Sequence, residues 1–171
     1  MCVGSARPAT VFLSLGSNRG DRRAMLRAAV AGLAAAGVVV ERLSAVYETE
    51  PVEVRRQPWF LNCVLQGRTQ LAPLALLTAL LGLERQLGRR REQERRQGPR
   101  TLDLDILLYD TVVLQQGRLQ VPHPGVARRR FVLVGLAELA PDLVVPPGGL
   151  TALQLLRRVP DHAAVLPRGA L

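Results

Sequence analysis

Two carboxylates in Leu102-Asp103-Leu104-Asp105-Ile106 stand one residue apart. On a strand, a period of two puts both acids on one face and the leucines on the other. Strand rise then separates the two Cα atoms by roughly 6.5–7 Å. Carboxylates that close repel unless a cation sits between them. Hard oxygen ligands at this spacing suit one or two Mg²⁺ ions, with nucleotide phosphates completing the coordination. A solvated acidic face on an edge strand has the same pattern, so the neighbours matter. Gly98-Pro99-Arg100 comes immediately before. Behind it, Arg85 to Arg100 holds seven Arg against two Glu, a surplus of five out of the chain's net +9, and is nearly free of apolar residues. Carboxylates for metal beside guanidinium groups for phosphate are what phosphoryl-type transfer requires. The arginine stretch by itself has three readings: a solvated face, an RNA-binding arm, or a loop that grips polyphosphate. Nucleic-acid platforms usually interleave stacking aromatics with the basic residues. None lies between Arg85 and Leu108, which weighs against RNA.

The aromatics cluster elsewhere. Trp59 and Phe60 follow the polar, proline-bracketed run from Glu50 to Pro58, and Tyr47 precedes it. Asn62 stands two residues after Phe60, so on a strand the ring and the amide share a face. A ring for stacking beside an amide for edge hydrogen bonds suits a flat heterocycle, although a core Phe and a satisfied buried Asn fit the same spacing. His123, in Val121-Pro122-His123-Pro124-Gly125, precedes Arg128-Arg129-Arg130-Phe131 and could donate to a phosphate oxygen or simply be a turn residue. Cys63 alternates with Asn62 and reads as a small core residue.

Composition narrows the chemistry further. All 23 basic residues of this 171-residue chain are Arg. Without Lys there is no Schiff-base enzyme, no P-loop of the usual kind and no protein-kinase lysine. The excess positive charge implies an anionic partner such as a nucleotide, a nucleic acid or an acidic metabolite. Two Cys and two His make structural zinc improbable. No apolar run reaches the length of a signal-peptide core at the N-terminus or of a membrane span elsewhere, which predicts a cytoplasmic protein with reduced thiols.

The elements that must carry these groups are also readable. Strands are expected at Thr10–Leu15, Val38–Thr49, Trp59–Arg68 and Leu102–Tyr109, with a hairpin from Val112–Leu114 and Leu119–Val121. Helices are expected at Arg22–Ala36, with Asp21 as N-cap and Gly37 as C-cap, at Pro73–Leu87, at Val126–Leu139 and at Thr151–Arg158. Residues 1–9 and 160–171 read as tails around one domain, 10–159. The element order argues an α+β fold: a ferredoxin-like α/β sandwich of split β-α-β type, with a mainly antiparallel sheet and helices packed on both sides.

Taken together, the motifs resemble the 6-hydroxymethyl-7,8-dihydropterin pyrophosphokinase family. Arg96-Gln97-Gly98-Pro99-Arg100-Thr101-Leu102-Asp103-Leu104-Asp105-Ile106-Leu107 is similar to its signature. Leu15-Gly16-Ser17-Asn18, Tyr47-Glu48-Thr49-Glu50-Pro51, Pro58-Trp59-Phe60-Leu61-Asn62, Val121-Pro122-His123, Arg129-Arg130-Phe131 and Glu138-Leu139-Ala140-Pro141 match further pieces in order. The resemblance implies transfer of diphosphate from ATP to the pterin hydroxymethyl group in folate biosynthesis, with AMP as the other product. It implies two Mg²⁺ ions at Asp103 and Asp105, with ATP as co-substrate. It implies phosphate contacts from Arg89, Arg91 and Arg100, nucleotide contacts from Ile106, Arg118, His123 and Arg129, and a pterin pocket of Thr49, Phe60, Asn62 and Phe131. The expected partners are these two small molecules, with no nucleic acid and no membrane, and the chain is expected to act as a monomer. A small basic RNA-binding module is the alternative. Three departures stand out: Gln97 replaces the aromatic that precedes Gly-Pro-Arg in the family's familiar form, the loop after Gly88 is one residue longer, and Glu50 stands where the family usually has a proline after the loop threonine.

Overall fold

The computed structural model describes residues 7–51, 56–92 and 98–171. In chain order the elements are β1 (Ala9–Ser17), α1 (Arg22–Gly32), β2 (Val38–Leu43), β3 (Tyr47–Thr49), β4 (Phe60–Thr69), α2 (Pro73–Gln86) and β5 (Asp103–Tyr109). There follow β6 (Leu114–Gln116), β7 (Leu119–Val121), α3 (Arg130–Leu139), β8 (Val144–Val145), β9 (Leu150–Thr151), α4 (Ala152–Arg158) and β10 (Val165–Pro167). The main sheet runs β10-β3-β4-β1-β5, with β2 also paired to β4, and every pairing in it is antiparallel. Two small hairpins, β6–β7 and β8–β9, stand outside it.

Helices cover both faces, as the element order predicts. On one side Leu26, Ala29 and Leu33 from α1 and the turn after it join Leu76, Leu80 and Leu83 of α2 over Leu13, Leu15 and Leu65. On the other side Val132, Leu136 and Leu139 of α3 and Ala152 of α4 cover Phe12, Val64 and Leu108. β1 is a central strand between two such layers, which is why its sequence reads as a near-continuous apolar run. Asp21 caps α1 by accepting from Ala24 N–H, and Pro73 opens α2 at a position where its missing N–H costs nothing. Cys63 is core, and burial pushes its thiol up to about 12.

Four expectations need correction. α1 stops at Gly32, and a turn runs on to Gly37, whose φ of 81° only glycine adopts easily. The single strand expected over 38–49 is two, β2 and β3. Ser44 Oγ accepts Val64 N–H (2.9 Å), and Ala45 N–H goes instead to Glu138 Oε1 (3.0 Å) on α3. α3 starts at Arg130, not Val126, because Gly125 O accepts from Arg128 and Arg129 in a separate turn. Residues 160–171, expected as a tail, contribute β10, which pairs with β3 at the sheet edge. At the other terminus Ala9 already belongs to β1, and residues 1–6 lie outside the described part.

Candidate active site

The site is assembled by register. In the sheet Gly16 lies opposite Asn62 on one side and opposite Asp103 on the other, and Ser14 lies opposite Asp105. Side chains two apart share a face, so Phe60 and Asn62 of β4 and Asp103 and Asp105 of β5 line the same cavity. Thr49, at the end of β3, adds to one side. Arg129 and Phe131 enter from the start of α3, and Arg100 from the segment leading into β5.

On the β4 side the polar groups are buried and paired. Asn62 Nδ2 donates to Thr49 Oγ1 (2.6 Å). A Cβ on Gly16 would lie 2.4 Å from Asn62 Oδ1, so only glycine leaves room for that amide. The Arg100 guanidinium lies over the Phe60 ring, 5.3 Å from its centroid. The free volume of the cavity is only about 60 Å³ with Arg100 in that position.

On the β5 side the two carboxylates differ. Asp103 Oδ1 accepts from Arg89 Nη1 (2.5 Å), and Arg100 Nε lies 3.2 Å from Oδ2. Burial pushes the Asp103 carboxyl up, but Arg100, Arg89 and Arg91 outweigh it and hold it below the usual range. Asp105 has weaker partners, His123 Nε2 and Arg129 Nη1, each 4.0 Å from Oδ2. Burial first, and the negative Asp103 second, push Asp105 up to about 7. Its side chain keeps 29% exposure, opening into the cavity. Among the described residues no group of three His, Cys, Asp or Glu could hold a metal. A cation here would therefore take only two protein carboxylates, and other oxygens must fill its shell.

His123 is held neutral. Burial first, and Arg129 second, bring its imidazole down to about 4. Nδ1 accepts from Gly125 N–H (2.9 Å), which leaves the proton on Nε2, the nitrogen that faces Asp105.

Two residues that hold the site together have no role in the sequence reading. Glu84, in the last turn of α2, is 1% exposed and gathers donors from three directions. It accepts from Arg89 Nη1 (2.7 Å), Arg91 Nε (2.8 Å) and Leu104 N–H (2.8 Å), the last an amide on the outer edge of β5. Its signal was present: Leu76, Leu80 and Glu84 fall at helical spacing on the buried stripe of α2, where an acid needs partners. Asn18 is the second. Its Oδ1 accepts Arg100 N–H (2.8 Å), and its Nδ2 donates to Pro58 O (3.0 Å) and Gln57 Oε1 (3.1 Å). One buried amide thus ties the end of β1 to both long loops.

Of the residues singled out from sequence, Thr49, Phe60, Asn62, Arg100, Asp103, Asp105, Arg129 and Phe131 meet at this cavity, with His123 beside Asp105. Arg89, Arg91 and Arg118 line a second cavity of about 530 Å³, together with Arg85 and Arg90. Arg89 joins the two through Asp103. Ile106 lines neither; it is buried in the core on the α1–α2 side. Gln97 lies outside the described residues.

This geometry has known counterparts. The family model for 7,8-dihydro-6-hydroxymethylpterin-pyrophosphokinase matches residues 12–141, a span that contains every site residue named above. The chain belongs to this family. A 2-amino-4-hydroxy-6-hydroxymethyldihydropteridine pyrophosphokinase of Methylorubrum extorquens is 47% identical over 149 residues, covering 86% of this chain and 92% of the relative. The protein of the same name from Synechocystis is 44% identical over 156 residues, covering 91% of this chain and 78% of the relative. Among solved structures, a Plasmodium falciparum HPPK-DHPS with pterin and p-hydroxybenzoate superposes with a TM-score of 0.69 at 14% identity. That match covers 91% of this chain but only 42% of the larger protein, and it speaks to the α+β fold alone.

Proposed function

We propose that this pyrophosphokinase-family chain moves diphosphate from ATP to the hydroxymethyl oxygen of 6-hydroxymethyl-7,8-dihydropterin, releasing AMP. The observation that carries this reading is the row Asn62–Gly16–Asp103, which sets a slot for a flat heterocycle directly beside paired carboxylates and arginines. Phe60 and Phe131 stack the ring, while the Asn62 amide and Thr49 hydroxyl read its edge. Arg100 has to leave the Phe60 face as the ring arrives, and the phosphates are the natural place for its guanidinium to go.

The donor set fits Mg²⁺. Asp103 and Asp105 offer hard oxygens on one face of β5, and Asp105 keeps part of its side chain open to the cavity. We assign two ions to this pair. When bound, Mg²⁺ neutralises phosphate charge and polarises the phosphorus under attack. The chain's own residues do the rest by position and charge. Arg89 and Arg91, fixed by Glu84, point positive charge at the triphosphate from the second cavity. Arg118, on the same cavity, takes the nucleoside end. His123, neutral with its proton on Nε2, donates to a phosphate oxygen without adding charge, and Arg129 sits across from it. The substrate hydroxyl attacks the β-phosphorus directly, so no covalent nucleophile on the protein is needed.

We assign the chain to the cytoplasm, as a monomer working on small molecules. Among the described residues no helix is long and apolar enough to cross a membrane. The RNA-binding alternative draws no support from the relatives. The deciding assay incubates the protein with Mg–ATP, with and without the pterin, and separates the nucleotides. AMP appearing only with the pterin is the expected result. ADP in its place would mean γ-phosphoryl transfer and would overturn the mechanism.

A further inference from the structure

We infer that Asp161, with the segment that runs from it into β10, braces two walls of the pterin slot and so positions Phe131 relative to Thr49. This rests on the reaction proposed above.

α3 begins at Arg130, and the residue at its N-cap, Arg129, makes no side-chain capping bond. The cap comes from 31 residues away: Arg130 N–H donates to Asp161 Oδ2 (2.9 Å). A carboxylate there satisfies a free helix amide and sits at the positive end of the helix dipole. Asp161 Oδ1 meanwhile accepts Ala163 N–H (2.9 Å), which turns the chain away from α3. One residue later Ala164 O accepts Glu50 N–H (3.2 Å), and Val165 pairs with Thr49 in the β10–β3 ladder. Arg168 then grips Glu48 of β3 through Oε2 (2.6 Å to Nη2).

The two anchorage points are the two sides of the slot. Arg129 and Phe131 flank the capped amide, and Thr49 and Glu50 are the residues gripped at the other end. At its far end α3 is tied to β3 through Glu138, which accepts from Tyr47 OH (2.8 Å) and Ala45 N–H (3.0 Å), and Asp161 supplies the tie at the slot end. There the short link from Asp161 to Val165 ties the start of the helix to β3, and so sets Phe131, which stacks the ring, relative to Thr49, which reads its edge. Asp161 touches no reacting atom, so it is a positioning residue.

The test compares Asp161→Ala with Asp161→Asn, whose side-chain oxygen can still cap. Pterin affinity is measured in the presence of a non-hydrolysable Mg–ATP analogue. KM is measured for both substrates, and amide exchange is followed at Arg130 to Leu133. The alanine variant is expected to raise the pterin Kd and KM roughly 5- to 10-fold, about what one lost N-cap corresponds to. Its KM for ATP, which reads Arg129 on the other side of the capped amide, should rise less than the pterin KM, with faster exchange in the first turn of α3, and Asp161→Asn should restore most of the pterin affinity. Unchanged pterin affinity in Asp161→Ala, or equal weakening of both substrates, overturns the inference. So does an asparagine variant as impaired as alanine. A wild-type protein that binds no pterin and makes no AMP overturns the proposed reaction and this inference with it. A fully active wild type with an equally active alanine variant overturns this inference alone.

Discussion

Truncating Glu84 to alanine should damage the protein before any substrate is added. The carboxylate is 1% exposed, and it is the shared acceptor of Arg89, Arg91 and the Leu104 amide. Without it, Arg89, whose side chain is 6% exposed, keeps Asp103 but loses its more deeply buried partner, and the Leu104 N–H has no acceptor from α2. Breaking a buried ion pair by removing one side costs about 3–5 kcal/mol. Arg91 adds little to this, because at 45% exposure its pairing is largely screened by solvent. Glutamine in place of Glu84 keeps an oxygen for the Leu104 amide but not the charge, and should cost about 1–3 kcal/mol. Against a total stability of about 5–15 kcal/mol, the alanine loss is a large fraction. For a chain of this size it lowers Tm by roughly 6–20 °C, at about 2–4 °C per kcal/mol. Urea unfolding followed by circular dichroism, with a thermal melt beside it, measures both. An alanine variant within about 1 kcal/mol of wild type would show that Arg89 and Leu104 find other partners, and the argument from burial would be wrong.

Four other outcomes follow from the geometry. Gly16→Ala puts a methyl group where Asn62 Oδ1 now lies, 2.4 Å away, and should weaken pterin binding at least roughly tenfold while leaving nucleotide affinity alone; titration calorimetry with each ligand decides it. Asn18→Ala leaves Arg100 N–H and Pro58 O without their buried partner and should cost about 2 kcal/mol in urea unfolding, whereas a cost near zero would mean that the loops do not depend on the tie. The His123 imidazole should titrate near 4 by NMR. Because its folded value lies below the unfolded value of about 6.5, the folded state binds fewer protons between the two, so this residue's contribution to stability is lost as pH falls from about 6.5 towards 4; a midpoint at or above 6.5 would contradict the burial argument. Asp105→Ala should slow AMP formation by at least roughly 10²-fold, and near-normal turnover would remove Asp105 from the metal site.

The legible part of this protein was the part with local causes. The two-residue period of Asp103 and Asp105 and of Phe60 and Asn62 predicted which side chains share a face, and the register confirmed it. Asp21 and Pro73 marked helix starts because their bonding or lack of it is settled within one turn. What stayed hidden depends on partners distant in the chain. The expected long strand breaks at Ser44 and Ala45 because Ser44 Oγ takes the Val64 N–H and Glu138 takes the Ala45 N–H. Residues 160–171 look like a short tail with two prolines until β3 supplies an edge to pair with. Ile106 was tied to the nucleotide by resemblance alone, and its alternation relative to Asp105 already pointed it to the opposite face. Asn18 and Glu84 were in plain view, but their weight comes from the loops and the β5 edge that converge on them.

The row through Gly16 also works as a ruler. Neighbouring strands sit about 4.8 Å apart, so the anchor for the ring and the anchor for the charged end of the nucleotide are held about 10 Å apart by backbone hydrogen bonds alone. A sheet does not stretch, so this distance is indifferent to what the surrounding loops do. Lengthening the arginine loop by a residue, as after Gly88, can alter how well the phosphates are enclosed, but it cannot move the place where the bond is made. β1 has the opposite character: a one-residue insertion before Gly16 would turn its face over and shift both halves of the ruler at once. Variation along this chain should therefore be cheap in its loops and costly in its central strand, even though β1 contributes only Ser14 and Gly16 to the cavity lining.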